Sequence, residues 1–176
     1  MAFAAQRGDR FCALLESARY IRAMFKVVLY QPEIPQNTGN IARTCAATGA
    51  ELHLVRPLGF HWSDSKLRRA GLDYWREVNC VLHDSWQAFL EALPQGSRVW
   101  AFSSKVPRLY TEVQYQAGDY LLFGPESRGL PAAVLECFPG VTIPMPGRGG
   151  RSLNLAVAVG VGLYEALRQV GWGLAK

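Results

Sequence analysis

Six short runs, at residues 27–30, 51–56, 77–83, 98–103, 120–123 and 141–145, constrain this chain more than any other feature. Most are continuously apolar rather than alternating, which marks strands buried on both faces and therefore a parallel sheet. Helical patterns lie between them, over 39–48, 65–72, 86–93, 131–138 and 153–170, with Pro131 near a helix start and Gly171 at a stop. Strand and helix alternate along the chain, so the expected class is α/β with helices on both faces of the sheet. A length of 176 residues, 49% of them apolar, is enough for one domain with a sizeable core. That domain is expected over 24–176, because a strand-like run directly follows Met24; residues 1–23 read as an N-terminal extension. The extension carries acidic residues and no small-residue cleavage site after a long apolar core, so it is not read as a signal peptide.

Charge and cysteine usage narrow the setting. A formal net charge of +5 leans toward a polyanionic partner, although simple solubility would also explain it. Cys12, Cys45, Cys80 and Cys137 are widely spaced and form no C-x-x-C pair, which points to a reducing cytoplasm and to neither a zinc site nor a disulfide framework. The longest apolar stretch, 155–163, is too short to span a bilayer, so no membrane segment is expected.

Three glycine-rich patches sit where apolar runs end: Asn37-Thr38-Gly39-Asn40-Ile41-Ala42-Arg43, Phe123-Gly124-Pro125-Glu126-Ser127-Arg128-Gly129-Leu130-Pro131, and Arg148-Gly149-Gly150-Arg151-Ser152-Leu153-Asn154-Leu155. Ligands of open α/β sheets bind outside the carboxyl ends of the strands, so one site assembled from these three loops is expected. In the first patch Asn37 or Thr38 can cap the following helix, and Arg43, one turn in, offers planar bidentate contact to phosphate. An ordinary strand-to-helix turn and a solvated arginine are the plainer alternatives. The second patch holds Glu126 and Arg128 between two glycines and two prolines, either as a structural ion pair or as part of a rigid ligand loop. It matches neither the dinucleotide fingerprint nor the P-loop. In the third patch Ser152 is a good N-cap for a helix starting near it, with Asn154 in the first turn. Lys66, Arg68 and Arg69 beside Asp73, Tyr74 and Trp75 place cations next to aromatics, a mix that suits RNA phosphates and stacked bases, or equally a solvated helix face. His53, His61 and His83 lack metal-ligand spacing, and Trp86 and Trp100 read as core.

In order along the chain, Leu29-Tyr30-Gln31-Pro32-Glu33-Ile34-Pro35-Gln36 leading into the first patch, Leu67-Arg68-Arg69-Ala70-Gly71-Leu72-Asp73-Tyr74, Gly118 through Pro131, and Ile143-Pro144-Met145 with Arg151-Ser152-Leu153-Asn154-Leu155 resemble the SPOUT class of RNA methyltransferases. Within it they are most similar to bacterial 2′-O-methyltransferases of the tRNA wobble nucleotide, over Met24 to about Gly171. The resemblance implies a C-terminal deep trefoil knot, a homodimer, and S-adenosylmethionine held in the knot by Phe102, Gly124, Ile143, Ser152 and Leu153, leaving as S-adenosylhomocysteine. It implies that Arg43, Glu126 and Asn154 line the reacting centre, with Asn40 and Arg128 close by, and that Asn40, Lys66, Arg68, Arg69 and Arg128 meet RNA.

On that reading the substrate is the anticodon stem-loop of tRNA, methylated on the ribose of cytidine or modified uridine at position 34, in leucine-type tRNAs. Arg43 orients phosphate and hydroxyl, since a guanidinium with a pKa above about 12 is a poor base; Glu126 or a water takes the proton. The loop before Asn154 departs from the usual Pro-Asp-Ser-Arg-Ser-Met-Asn-Leu-Ser: it is longer, has lost the acidic residue, gains Arg148 and ends in Ala156. Two rivals stay open at this point, a SPOUT relative acting on another RNA position and a non-catalytic RNA-binding relative.

Overall fold

The computed structural model describes residues 25–61, 77–147 and 152–173. The N-terminal extension, the helix expected over 65–72 with Lys66, Arg68 and Arg69, and Arg148 and Arg151 of the third patch lie outside the described residues. Six strands form one sheet: β1 Lys26–Tyr30, β2 Glu51–Val55, β3 Cys80–His83, β4 Val99–Phe102, β5 Tyr120–Phe123 and β6 Gly140–Val141. Their order is β3-β2-β1-β5-β4-β6, and every pairing is parallel. The central strands β1 and β5 are where the continuous apolar runs fall, and all four residues of β5 are buried. Four helices complete the described elements: α1 Pro35–Thr48, α2 Trp86–Ala92, α3 Ala132–Cys137 and α4 Leu155–Gln169, followed by a 3₁₀ turn at Gly171–Gly173.

Because side chains alternate along a strand, the sheet feeds two cores. Val27, Leu29, Leu52, Leu54, Leu121 and Phe123 point toward α1 and α4, where Ile41, Cys45, Val159 and Leu163 are fully buried. Val28, Val99, Ala101, Tyr120 and Leu122 point the other way, against Phe89 of α2 and Val134 of α3. The result is a three-layer α/β/α arrangement, as the alternating pattern predicts. On the first face Phe102 and Phe123 stack with ring centroids 4.5 Å apart. Gly162 of α4 passes so close to them that a Cβ there would lie 2.8 Å from the Phe102 ring, so α4 settles directly on this aromatic pair and also packs on α1.

The connections define where a ligand can sit. β1 leads through α1 to β2 on one side, while its neighbour β5 leads through α3 across β4 to β6 on the other. Adjacent strands whose connections diverge leave a crevice beyond their carboxyl ends. The threading implied by the resemblance falls on the loop between β6 and α4, which includes residues outside the described set.

Several boundaries differ from the sequence pattern for physical reasons. β6 covers Gly140–Val141 rather than 141–145: Pro144 has no N–H to give a ladder, and Ile143 turns inward toward the cavity described below. β3 starts at Cys80 rather than 77, because its only described ladder partner, β2, pairs with it from Leu52 onward. The 14-residue α1 begins at Pro35, four residues before the expected start, with Ile34 as an N-cap that makes no side-chain cap bond. Pro35 suits the first helical position because its φ is preset and its missing N–H would be unpaired there anyway. Neither Asn37 nor Thr38 caps this helix. α4 is capped by Asn154 rather than Ser152, the Asn154 Oδ1 accepting from the N–H groups of Ala156 at 2.9 Å and Val157 at 3.4 Å.

Candidate active site

The described parts of the three patches, from the third only Ser152 to Leu155, meet at this crevice, joined by a chain of side-chain hydrogen bonds between residues far apart in sequence. Asn154 Nδ2 donates to Asn37 Oδ1 at 2.9 Å, and Asn37 Nδ2 donates to Glu126 Oε1 at 3.0 Å. The Glu126 carboxylate also accepts from two backbone N–H groups just ahead of α1, Glu33 at 2.8 Å and Ile34 at 3.2 Å. In a capping box an acid at the third helical position accepts from the N-cap N–H. Here Asn37 holds that position, and the acid comes from a loop more than ninety residues further along the chain.

The lacing is reciprocal. The Glu33 carboxylate accepts from the N–H of Ser127 at 2.9 Å and from its hydroxyl at 2.8 Å. These bonds, helped by the nearby Arg128 guanidinium, hold the Glu33 carboxyl below its ordinary pKa. Arg128 Nη2 donates to Gln31 Oε1 at 2.7 Å, while its Nη1 stands 3.9 Å from Glu33. The pairing of Glu126 with Arg128 weighed above is therefore replaced by two crossed pairings, each to the segment after β1. Gln31 adopts φ +50° at the turn out of β1, a sparsely populated region for a residue with a side chain and one that tends to occur at functional sites.

Beside this network lies a cavity of about 290 Å³, close to the lower end of small-molecule sites. Its floor includes Phe102 and Phe123, the last residues of β4 and β5. Phe102, Gly124, Ile143, Ser152 and Leu153, the residues expected to hold a cofactor, all line it, as do Glu126 and Arg128. The loop after β5 turns so tightly that a Cβ on Gly124 would lie 2.5 Å from the Gly129 carbonyl carbon. Only glycine lets the backbone come this close and still border a ligand site. Phe102, Phe123 and Ile143 offer an apolar surface for an adenine ring, and Ser103, Glu126 and Ser152 offer polar groups for a charged sulfonium and amino-acid end, so the residues present suit S-adenosylmethionine.

The expected catalytic residues divide. Glu126 lines the cavity, and Asn154 reaches it through Asn37. Arg43 and Asn40 stand three residues apart on the exposed side of α1, outside the cavity lining. Glu126 is engaged in three hydrogen bonds, which leaves about one of its four acceptor positions for a substrate hydroxyl.

Sequence reasoning missed Asn37 as the hub, along with Glu33, Gln31 and Ser127. The sequence carried no clear signal for it, because Asn37 and Thr38 stand among polar neighbours and only the structure shows both to be buried, where polar groups must be bonded. Thr38 bonds locally, to the Ile34 carbonyl four residues back, whereas the side-chain partners of Asn37 lie 89 and 117 residues away and could not be read from local pattern.

Comparison with known proteins completes the assignment. Residues 24–164 match the SpoU rRNA Methylase family. A tRNA (cytidine(34)-2′-O)-methyltransferase of Escherichia coli K12 is 50% identical over 152 residues, which are 85% of this chain and 96% of that protein. The enzyme of the same name from Yersinia pestis is 50% identical over 156 residues, with the same coverage of both chains. A solved structure described as giving structural insights into the 2-OH methylation of C/U34 on tRNA superposes with a TM-score of 0.83 at 63% identity, covering 85% of this chain and 98% of its own. An AdoMet-bound rRNA methyltransferase from Sinorhizobium meliloti superposes with a TM-score of 0.76 at 29% identity, over 85% of this chain and 57% of its own. With the glycine-rich loops gathered at a cofactor-sized cleft and the family match running through nearly all the described residues, the chain belongs to the SpoU methylase family, an α/β fold of the SPOUT class.

Proposed function

We propose that this protein is an S-adenosylmethionine-dependent methyltransferase of the ribose 2′-oxygen of nucleotide 34, cytidine or uridine, in tRNA. The observation that carries the reading is the cleft at the β1/β5 switch point, lined by all five residues expected to hold the cofactor and tied by Glu126 and Asn37 to the N-terminus of α1. The 50% identity to cytidine-34 methyltransferases over 96% of the Escherichia coli enzyme supports the position.

S-adenosylmethionine supplies an electrophilic sulfonium methyl and is left as S-adenosylhomocysteine. The chain's own residues do the rest by positioning, which carries much of the rate in such transfers. Phe102, Phe123, Ile143 and Leu153 exclude water from one side. Glu126 holds the loop after β5 against α1, and its remaining acceptor position, or a water there, receives the hydroxyl proton. Arg43 and Asn40, exposed on α1, orient the ribose and its phosphate, and Lys66, Arg68, Arg69 and Arg128 contact the anticodon stem-loop.

The protein works as a homodimer on this reading. Ile34, Leu153, Val157, Tyr164 and Trp172 are among the exposed large apolar residues; Val157 and Tyr164 share one face of α4, and Leu153 lies in the loop just before its cap. Val157 is the most open of them at 52%. A second copy over this stripe covers the apolar surface and brings a second α1 toward each cleft, giving an anticodon stem-loop a larger surface than one small domain offers. Leucine-type tRNAs in the cytoplasm are the expected substrates. Among the described residues no helix is long and apolar enough to cross a membrane.

The test is to incubate the protein with radiolabelled S-adenosylmethionine and total tRNA from cells lacking their own wobble methylase, then map the label by nuclease digestion and mass spectrometry. Label on the 2′-oxygen of nucleotide 34 supports the reading. Label at another nucleotide replaces the substrate, and no label with the cofactor still bound points to a binding-only relative. Arg43→Ala should abolish transfer while S-adenosylmethionine affinity stays within about twofold; equal loss of both would remove the orienting role from Arg43.

A further inference from the structure

The loop after β5 is held on two edges. One edge is laced to the segment between β1 and α1 by Glu126, Ser127 and Arg128, as described above. The other edge faces the cleft, and there a side chain from the connection after β4 reaches across: Lys105 Nζ donates to the backbone carbonyl of Arg128 at 3.2 Å and to that of Leu130 at 3.3 Å. Two segments that line the cavity are thereby joined, Ser103 to Lys105 after β4 and Gly124 to Gly129 after β5. The lysine side chain therefore spans from one wall to the other.

Three features make this more than a surface contact. The acceptors are main-chain carbonyls, so the ammonium grips the course of the backbone rather than a mobile side chain. Donors that carry charge make bonds stronger than neutral ones, and among the described residues Lys105 has no carboxylate within 4 Å to draw it away. The base of the span is itself shaped, because the N–H of Lys105 donates to the Ser103 hydroxyl at 3.2 Å. Of the ammonium's three donors one remains for solvent or ligand.

We propose that Lys105 is a positioning residue for cofactor binding: a strap that sets the separation of the two cleft walls by fixing the carbonyls of Arg128 and Leu130. The proposal rests on the methyltransferase reading for the identity of the ligand, whereas the strap itself is a property of the ligand-free protein. Without Lys105 the ties to β1 and α1 keep the loop attached and the fold intact. The free edge of the loop then samples a range of widths, and S-adenosylmethionine must select the narrow ones, which lowers its apparent affinity in proportion. Arginine at this position can still reach two carbonyls; methionine keeps the apolar stem and gives up the donors.

Calorimetry with S-adenosylmethionine, steady-state kinetics with tRNA, and amide exchange without ligand test this on the full chain. Lys105→Met should weaken S-adenosylmethionine binding and raise its KM about tenfold, with a smaller change in kcat and in the KM for tRNA. Lys105→Arg should stay within about threefold of the unmodified protein. The Gly129 amide, whose N–H is bonded to the Pro125 carbonyl at 2.9 Å inside the same loop, should exchange faster in Lys105→Met and not in Lys105→Arg. Unchanged exchange at Gly129 with unchanged cofactor affinity overturns the strap. A rise confined to the KM for tRNA also overturns it and makes Lys105 an RNA contact. If the unmodified protein binds no S-adenosylmethionine, the methyltransferase reading fails, and the exchange experiment still decides the strap.

Discussion

The two helices that meet at the cleft, α1 and α4, begin in opposite ways. α4 carries its own cap, Asn154, which satisfies two N–H groups of its first turn. α1 has Ile34 at the same place, with nothing on that side chain to accept a hydrogen bond, and borrows the carboxylate of Glu126 from the loop after β5. A local cap stabilises a helix whatever the rest of the chain does. A borrowed cap makes the start of the helix conditional on the assembled site, so the geometry of α1, and with it Asn40 and Arg43, is coupled to the loop after β5. Asn37 joins the two arrangements by accepting from one cap and donating to the other.

The sharpest way to break this difference is to remove the borrowed cap. Glu126→Ala strands the N–H groups of Glu33 and Ile34 and the Asn37 amide, and should cost about 3 kcal/mol in urea unfolding and at least about a hundredfold in methyl transfer. A loss under about 1 kcal/mol would mean that water replaces the carboxylate and that the cap is not structural.

Next comes Asn37→Asp, which sets a second carboxylate against Glu126. Stability at neutral pH should fall by about 2 kcal/mol, and part should return on acidification, because two carboxylates this close favour sharing one proton. An equal loss at every pH would show that the pair does not interact.

The local cap can be separated into its two functions. Asn154→Ala should cost about 1 kcal/mol. Asn154→Asp keeps the cap of α4 but cannot donate to Asn37, so thermal unfolding should be nearly unchanged while methyl transfer drops about tenfold. Parallel losses in both measurements would deny the tie to Asn37 a part in the site.

The smallest effect is expected at the reciprocal tie. The Glu33 carboxyl is held below its ordinary value of 4.5 by Ser127 first and Arg128 last, so the folded state favours its ionised form. That contribution is fully present above the unfolded value and is lost as pH falls through the lowered one, since the unfolded chain then binds the extra proton first. Ser127→Ala should lower stability slightly at neutral pH, flatten its pH dependence below about 4.5, and converge on the unmodified protein in stronger acid. A profile identical to that of the unmodified protein would remove Ser127 as the cause.

The same contrast explains what could be read in the sequence. The strand runs around Val27–Leu29 and Leu121–Phe123, the α/β class and the meeting of three glycine-rich loops follow from period and composition, because burial on both faces leaves a one-dimensional signature. The five residues expected to hold a cofactor follow from the family resemblance alone, and all five line the cavity. Local cap preference did not separate Ser152 from Asn154, as both residue types are good caps; what singles out Asn154 is its amide bonded to Asn37, a contact 117 residues long. The early start of α1 was hidden for the same reason, since its acid is absent from the neighbouring sequence. The inward turn of Ile143 shortened β6 against its apolar pattern, because a residue facing a cavity is as apolar as one in a strand.

The hydrogen-bond chain through Asn154, Asn37 and Glu126 joins segments separated by 117 and 89 positions. Contacts so distant form late in folding, after the sheet has brought their segments together. During synthesis, which proceeds from the N-terminus, β1 and α1 leave the ribosome long before Glu126 exists, and Asn37 waits a further 117 residues for Asn154. A chain interrupted before α4 can hold strands and an aromatic floor but has no closed polar circuit. Closure of that circuit therefore waits until α4 has been made, and the polypeptide acquires its capacity for chemistry only when that helix has docked.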